Sequence, residues 1–264
     1  HKMSDQLSVP DHITQKGQTY KDSFDHGTER WTLAGILQNS SNVGMIMAGE
    51  NYPDEQRYEY LTKFGIGQPT GLNLPGESSG LLTSSPSAWD LRTRNTILFG
   101  QGYTVNALQL NNVVATIANK GVKQQQSIIR STTDANGKTT ETKKGEATRV
   151  VDEKVASDMM NAMESVAESY NKFIKVDGYR MAAKSGTAEV QGSDGALSSI
   201  LSDYSVVIPA DNPRYAVTVV LKDPNGVFGG LTAGPVSAQI CEFLMQKYEV
   251  PVSSPRKNAI PVTW

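Results

Sequence analysis

Apolar positions fall at helical spacing through the first two thirds of the chain and alternate as in strands through the last third. Leu33, Ile36 and Leu37 share one face of a short helix that the Thr32 hydroxyl can cap. A polar break follows at Gln38-Asn39-Ser40-Ser41-Asn42, whose side chains compete with helical hydrogen bonds, before Val43, Met45, Ile46 and Met47 resume the pattern. Pro53-Asp54 opens a helix through Tyr58, Leu61 and Phe64 that Gly65 can close. Residues 65–86, rich in Gly, Pro and Ser, read as an irregular surface excursion. Ala107, Leu108, Leu110, Val113, Val114, Ile117 and Ala118 predict the clearest helix, with Asn106 and Gln109 spaced as a capping box and Gly121 past its end. A further helix from Asp152 to Glu168 is expected to turn Val155, Met159, Met163 and Val166 inward. The last, Val236 to Tyr248, is expected to pack Ile240, Phe243 and Leu244.

Asn136-Gly137 between Thr-rich arms predicts a two-residue hairpin turn. Arg180–Val190, Ser202–Ile208 and Tyr215–Lys222 read as strands, the last two antiparallel across Pro209-Ala210-Asp211-Asn212-Pro213. Residues 1–30 are polar and turn-rich, with loop signals at Val9-Pro10-Asp11 and Asp25-His26-Gly27, and residues 250–264 read as a Pro- and Ser-containing tail. This order of elements implies an α+β fold, an antiparallel sheet flanked by helices.

Length and charge then narrow the function. The 264 residues suffice for a substantial core, and 25 basic against 27 acidic residues leave a net charge of −2. No global field favours nucleic acid or an anionic membrane. Cys241 is the single cysteine, which excludes an internal disulfide; with histidines at positions 1, 12 and 26 alone, no zinc-ligand pattern remains. No apolar run approaches the ~20 residues that span a bilayer, and no signal-peptide pattern opens the chain. His1-Lys2-Met3 reads as a cut or processed end. Cys241 and the Met159, Met160, Met163 group read as core filling, His26 as a turn residue, and Lys143-Lys144 as a solvated arm.

Two clusters carry candidate chemistry. In Ser40-Ser41-Asn42, a hydroxyl and a carboxamide two residues apart can face one cleft, the first passing protons and the second holding a peptide group; a helix-junction cap is the other reading. Lys184-Ser185-Gly186-Thr187 puts a cation, two hydroxyls and a glycine on a predicted strand. It reads either as a groove wall that a substrate backbone approaches at Gly186 or as a sheet edge protected by lysine.

Taken together, Ser40-x-Asn42 and Lys184-Ser185-Gly186-Thr187 resemble the second and third motifs of the penicillin-binding protein transpeptidases, whose fold is shared with the serine β-lactamases. Leu37–Met45, Phe99-Gly100-Gln101-Gly102, Ile117-Ala118-Asn119-Lys120-Gly121, Pro209–Tyr215 and Ala233-Gly234-Pro235 extend the resemblance from Val9 to Tyr248, and class B enzymes resemble it best. The family's first motif, Ser-x-x-Lys, is not found ahead of Ser40. Formal matches at Ser169-Tyr170-Asn171-Lys172 and Ser254-Pro255-Arg256-Lys257 fall in the wrong order and are no more numerous than chance provides. The expectation is a transpeptidase domain over residues 1–264 that begins after its nucleophile, with the attacking serine upstream of His1.

The resemblance implies acyl transfer on peptidoglycan stem peptides ending in D-alanyl-D-alanine, with β-lactams as mimics of that end and with no metal or organic cofactor. It assigns proton relay to Ser40, the acyl-chain amide to Asn42 and positive charge to Lys184. Ser185, Gly186 and Thr187 are assigned to substrate binding, with the Thr187 backbone N–H as an oxyanion donor. It further implies an extracytoplasmic enzyme, anchored by an N-terminal segment and working with division or elongation proteins. A serine β-lactamase or D,D-carboxypeptidase, or a non-catalytic module that senses β-lactams or binds partners, stays open as an alternative.

Overall fold

The computed structural model describes residues 1–83, 85–191, 197–226 and 228–264. Its start corrects the loop reading of residues 1–30, which form four short strands: β1 (Gln6–Val9), β2 (His12–Gln15), β3 (Gln18–Lys21) and β4 (Glu29–Thr32). β1 pairs with β4 and β2 with β3, both antiparallel. Their buried apolar residues are Val9, Tyr20 and Trp31, too sparse to produce an alternating signal. Thr32 ends β4 and caps α1 (Leu33–Gln38), its Oγ1 accepting from Gly35 N at 3.1 Å. Ser41 caps α2 (Asn42–Gly49) in the same way through Gly44 N, at 2.8 Å. Val9, Trp31, Ile36 and Val43 form the core of this part.

α3 (Asp54–Phe64) closes on Gly65 at φ 100°, followed by the irregular excursion, the short α4 (Leu91–Thr96) and α5 (Ala107–Ala118). The capping box forms in both directions, each bond 2.8 Å. Gln109 then does more than cap: its Nε2 donates to the carbonyls of Gly65, Gln68 and Ser79, pinning the excursion against α5.

Next come β5 (Val122–Gln124), β6 (Ser131–Thr133), β7 (Thr139–Glu141) and β8 (Ala147–Arg149), paired β5 to β8 and β6 to β7. The β6–β7 turn is longer than the two residues expected. Asp134 Oδ1 accepts from both Asn136 N and Lys138 N, drawing Asp134 and Lys138 into a wider turn with Gly137 at φ 82°.

α6 (Glu153–Ser169) leads to the central sheet, β9 (Ala182–Gln191), β10 (Leu197–Ile208) and β11 (Tyr215–Lys222), and the last helix is α7 (Gly229–Lys247). The sheet order is β11-β10-β9, antiparallel throughout. One face packs Ala183, Tyr204, Val206 and Ile208 against Ala233, Cys241 and Met245 of α7; the other packs Ala182 and Val207 against Val114 of α5 and Met160 and Met163 of α6. Both faces are covered, which confirms the α+β fold with its antiparallel sheet flanked by helices.

Two inward faces differ from expectation. On α6 Met163 and Val166 are buried as expected, but Val155 is half exposed and Ala156, Met160 and Ala167 join the buried face. On α7, Ile240 and Phe243 are exposed while Gly230, Ala233, Gly234, Ser237, Cys241 and Met245 are buried. Small residues win that face because the helix lies close to large partners: a Cβ at Gly234 would come within 2.2 Å of Ile174, and one at Gly230 within 2.4 Å of the Tyr170 ring. The segment 250–264 lacks helix and strand but is docked rather than trailing. Pro261 O accepts from Thr32 Oγ1 at 2.6 Å, Val262 O from Thr32 N at 3.1 Å, and Arg256 donates to Asn161, Ser165 and Glu168 of α6.

Candidate active site

The turn between α1 and α2 ends the first helix with a Schellman motif. Ser40 N donates to Leu37 O and Ser41 N to Ile36 O, at 3.2 and 3.1 Å, and Ser40 takes the left-handed conformation at φ 53°. Glycine ordinarily fills that position; a serine there is strained and exposes its hydroxyl. Asp22, just past β3, holds the next residues from below. Its buried carboxylate accepts from Ser41 Oγ at 2.6 Å, Val43 N at 2.9 Å and His26 Nε2 at 3.1 Å. His26 Nδ1 bonds Gly27 O at 2.6 Å, so both ring nitrogens donate. Burial pulls the His26 imidazolium down, but the Asp22 bond, the Gly27 carbonyl and the nearby carboxylates outweigh it and the pKa is raised. The reading of His26 as a turn residue thus missed a buried ion pair. Asp22 carried no sequence signal, since its partners sit in different elements.

Against this turn stands β9. Lys184 Nζ donates to Ser40 Oγ at 2.8 Å and to Ser185 O at 2.8 Å. This bond joins residues 144 positions apart and brings the two clusters into one site. Burial pushes the Lys184 ammonium down to about 8, opposed by the charge of Asp203 on β10. Asn42 is not joined to this pair by a hydrogen bond; its Nδ2 donates to Lys21 O of β3 at 3.1 Å. The two hydroxyls after Lys184 point to the α7 face of the sheet. Ser185 Oγ lies 3.3 Å from the Tyr170 hydroxyl, and Thr187 Oγ1 accepts from Gly229 N at 3.1 Å. Gly186 has a neighbour where a side chain would be, because an added Cβ would lie 2.1 Å from Asp203 Oδ2.

The serines of the two formal Ser-x-x-Lys pairs have partners other than their lysines. Ser169 Oγ donates to Val166 O within α6, and Ser254 N donates to Asp211. Tyr170, inside the first pair, contributes to the site through Ser185 and stands edge-on to Tyr204. Open depressions of about 590 and 400 Å³ lie elsewhere; neither includes Ser40, Asn42 or Lys184. Among the described residues, no group of three His, Cys, Asp or Glu could hold a metal ion, and no helix is long and apolar enough to cross a membrane.

The site is thus a serine turn hydrogen-bonded to a Lys-Ser-Gly strand, on a sheet covered by helices on both faces. Residues 2–242 match the penicillin binding protein transpeptidase domain, and the chain belongs to that family. It is 33% identical over 263 residues to penicillin-binding protein PbpB of Mycolicibacterium smegmatis, covering 94% of this chain and 40% of that protein. It is 36% identical over 214 residues to the peptidoglycan D,D-transpeptidase FtsI of Escherichia coli K12, covering 79% of this chain and 34% of that one. Among solved structures, a peptidoglycan synthetase from Bifidobacterium adolescentis superposes with a TM-score of 0.95 at 67% identity, covering all of this chain and 48% of the other. Penicillin binding protein 3 of Mycobacterium tuberculosis, complexed with ampicillin, gives 0.90 at 31% identity over all of this chain and 61% of its own. The chain therefore spans well under half the length of these curated relatives.

Proposed function

We propose that the protein carrying this chain is a D,D-transpeptidase that cross-links peptidoglycan stem peptides through an acyl-serine intermediate, and that β-lactams acylate the same serine. The 2.8 Å bond from Lys184 to Ser40 carries this reading, because it joins a cation and a proton-passing hydroxyl from the two motifs at one point. A serine in a Ser-x-x-Lys segment N-terminal to His1 attacks the carbonyl of the penultimate D-alanine. Ser40 passes the proton to the departing D-alanine nitrogen, then receives one from the amine of the neighbouring stem that resolves the acyl-enzyme. Lys184 keeps the anionic species near Ser40 favourable. Asn42 holds the amide of the acyl chain through the acceptor that its bond to Lys21 leaves over. Ser185 and Thr187 bind the terminal carboxylate, and the Thr187 backbone N–H donates to the oxyanion. The chemistry calls on no metal or organic cofactor. The enzyme works on the extracytoplasmic face of the bacterial membrane, anchored by an N-terminal segment, among division or elongation proteins. The resemblance to the class B family supports this placement.

The test supplies the full-length protein with a pentapeptide ending in D-alanyl-D-alanine and a D-amino acid acceptor, and follows D-alanine release and the exchanged product. Exchange that is lost in Lys184→Ala supports the reading. Release of D-alanine to water alone points to a D,D-carboxypeptidase, rapid turnover of benzylpenicillin to a β-lactamase, and no reaction with either to a non-catalytic module.

A further inference from the structure

Asp203 belongs to none of the motifs above, yet it lies on the strand paired with β9, on the same face of the sheet as Lys184. In the β9–β10 register Lys184 stands opposite Ser205 and Gly186 opposite Asp203. Side chains alternate across a sheet, so Lys184, Gly186, Ser205 and Asp203 share the face that carries Ala182 and Val207. The Asp203 carboxylate occupies the space that Gly186 leaves, with Oδ2 2.1 Å from an added Cβ position there. Its backbone is fixed from the α7 side, where a Cβ at Gly229 would meet Asp203 O at 2.2 Å and Gly186 O at 2.3 Å. The carboxylate does not form a direct ion pair with the lysine, whose ammonium bonds Ser40 Oγ and Ser185 O instead.

We propose that Asp203 is a positioning residue that supplies the counter-charge to Lys184, lying diagonally across the strand pair so that the lysine stays charged while its protons remain directed at Ser40. The role in acyl transfer rests on the function proposed above. A direct pair would draw the ammonium away from Ser40; a carboxylate one step off the contact favours the cation without competing for its hydrogen bonds. Burial works against charge on both groups, raising Asp203 to about 6 and lowering Lys184 to about 8, and each is the one charge that acts on the other among the described residues. The helices over this face pack Val114, Ile117, Met160 and Met163 against it, and the buried carboxylate of α6, Glu164, is paired with Arg180. Between those values both groups are charged.

The test uses the full-length protein, wild type against Asp203→Asn, with Asp203→Ser as the smaller replacement should Asn disturb packing. Lys184 is titrated directly by trace acetylation with acetic anhydride across pH and mass spectrometry of its peptide. Acylation by benzylpenicillin is followed over the same range. Removing the carboxylate is expected to move the Lys184 midpoint down by about one pH unit. Acylation then falls about fivefold at pH 8 and is unchanged at pH 6. An unmoved Lys184 midpoint, or a loss of acylation equal at every pH, overturns the proposal. If the wild type is not acylated at all, the proposed function fails, while the acetylation midpoints still decide the role of Asp203.

Discussion

Ser40→Gly and Ser40→Ala remove the same hydroxyl but treat the backbone in opposite ways. Ser40 sits at φ 53°, at the left-handed position of the Schellman motif closing α1. An L-residue there costs about 1 to 2 kcal/mol relative to the right-handed region. Glycine escapes that cost but gives up about 0.4 to 1 kcal/mol through its freer unfolded chain. The difference leaves Ser40→Gly more stable than Ser40→Ala by roughly 0.5 to 1 kcal/mol. For a unit of this size that is a few degrees in Tm at most, about 2 to 4 °C per kcal/mol. Both variants take one acceptor from Lys184 Nζ equally, leaving Ser185 O. Both should also lose acyl transfer alike, by about 10²- to 10⁴-fold if Ser40 relays protons. Calorimetry and fluorescent-penicillin acylation of the two variants in the full-length protein measure the two halves separately. Ser40→Ala at least as stable as Ser40→Gly would refute the strained-turn reading. Near-normal acylation in either would refute the relay.

Other substitutions test the supports of the site. Asp22→Asn should cost about 2 kcal/mol, because a buried carboxylate accepting three hydrogen bonds loses its charge. His26, raised above its ordinary 6.5, contributes stability that is present below that value and lost as pH rises through its folded pKa. Denaturant unfolding at pH 6 and pH 8 should therefore show a decline in wild type that Asp22→Asn flattens. Arg180→Ala leaves buried Glu164 without its two 2.8 Å bonds and should cost about 3 kcal/mol at pH 7. Burial already raises Glu164 against the pull of Arg180, so that loss should shrink near pH 4, where the carboxyl is neutral. Gly229→Ala drives a Cβ into two carbonyl oxygens and should cost about 2 kcal/mol in urea unfolding, with slower acylation because β9 carries Lys184.

Where a local physical rule acts on neighbouring residues, structure was legible in the sequence. The Thr32 cap, the Asn106–Gln109 capping box, the closing Gly65 and the β10–β11 hairpin were all readable from spacing. Where burial is decided by distant partners, it was not. The strands in residues 1–30 bury too few apolar positions to alternate, and the last helix, expected from Val236, opens at Gly229 and runs through Pro235. That helix packs through its small residues, so a hydrophobic count selects Ile240 and Phe243, which face out. At the site, Ser40 and Lys184 were singled out through two motifs that resemble those of a known family, and the structure joins them by a hydrogen bond. Asp22, Tyr170 and Asp203 were not, because each acts through a partner in another element and nothing adjacent in the chain marks it.

Peptide mapping of the full-length protein after acylation by benzylpenicillin tests the central claim most directly. The account predicts a single adduct on a serine N-terminal to His1, in a Ser-x-x-Lys sequence, lost when that serine is replaced and slowed when Ser40 or Lys184 is. An adduct on Ser40, Ser169 or Ser254 would contradict it, because the attacking serine would then lie within residues 1–264.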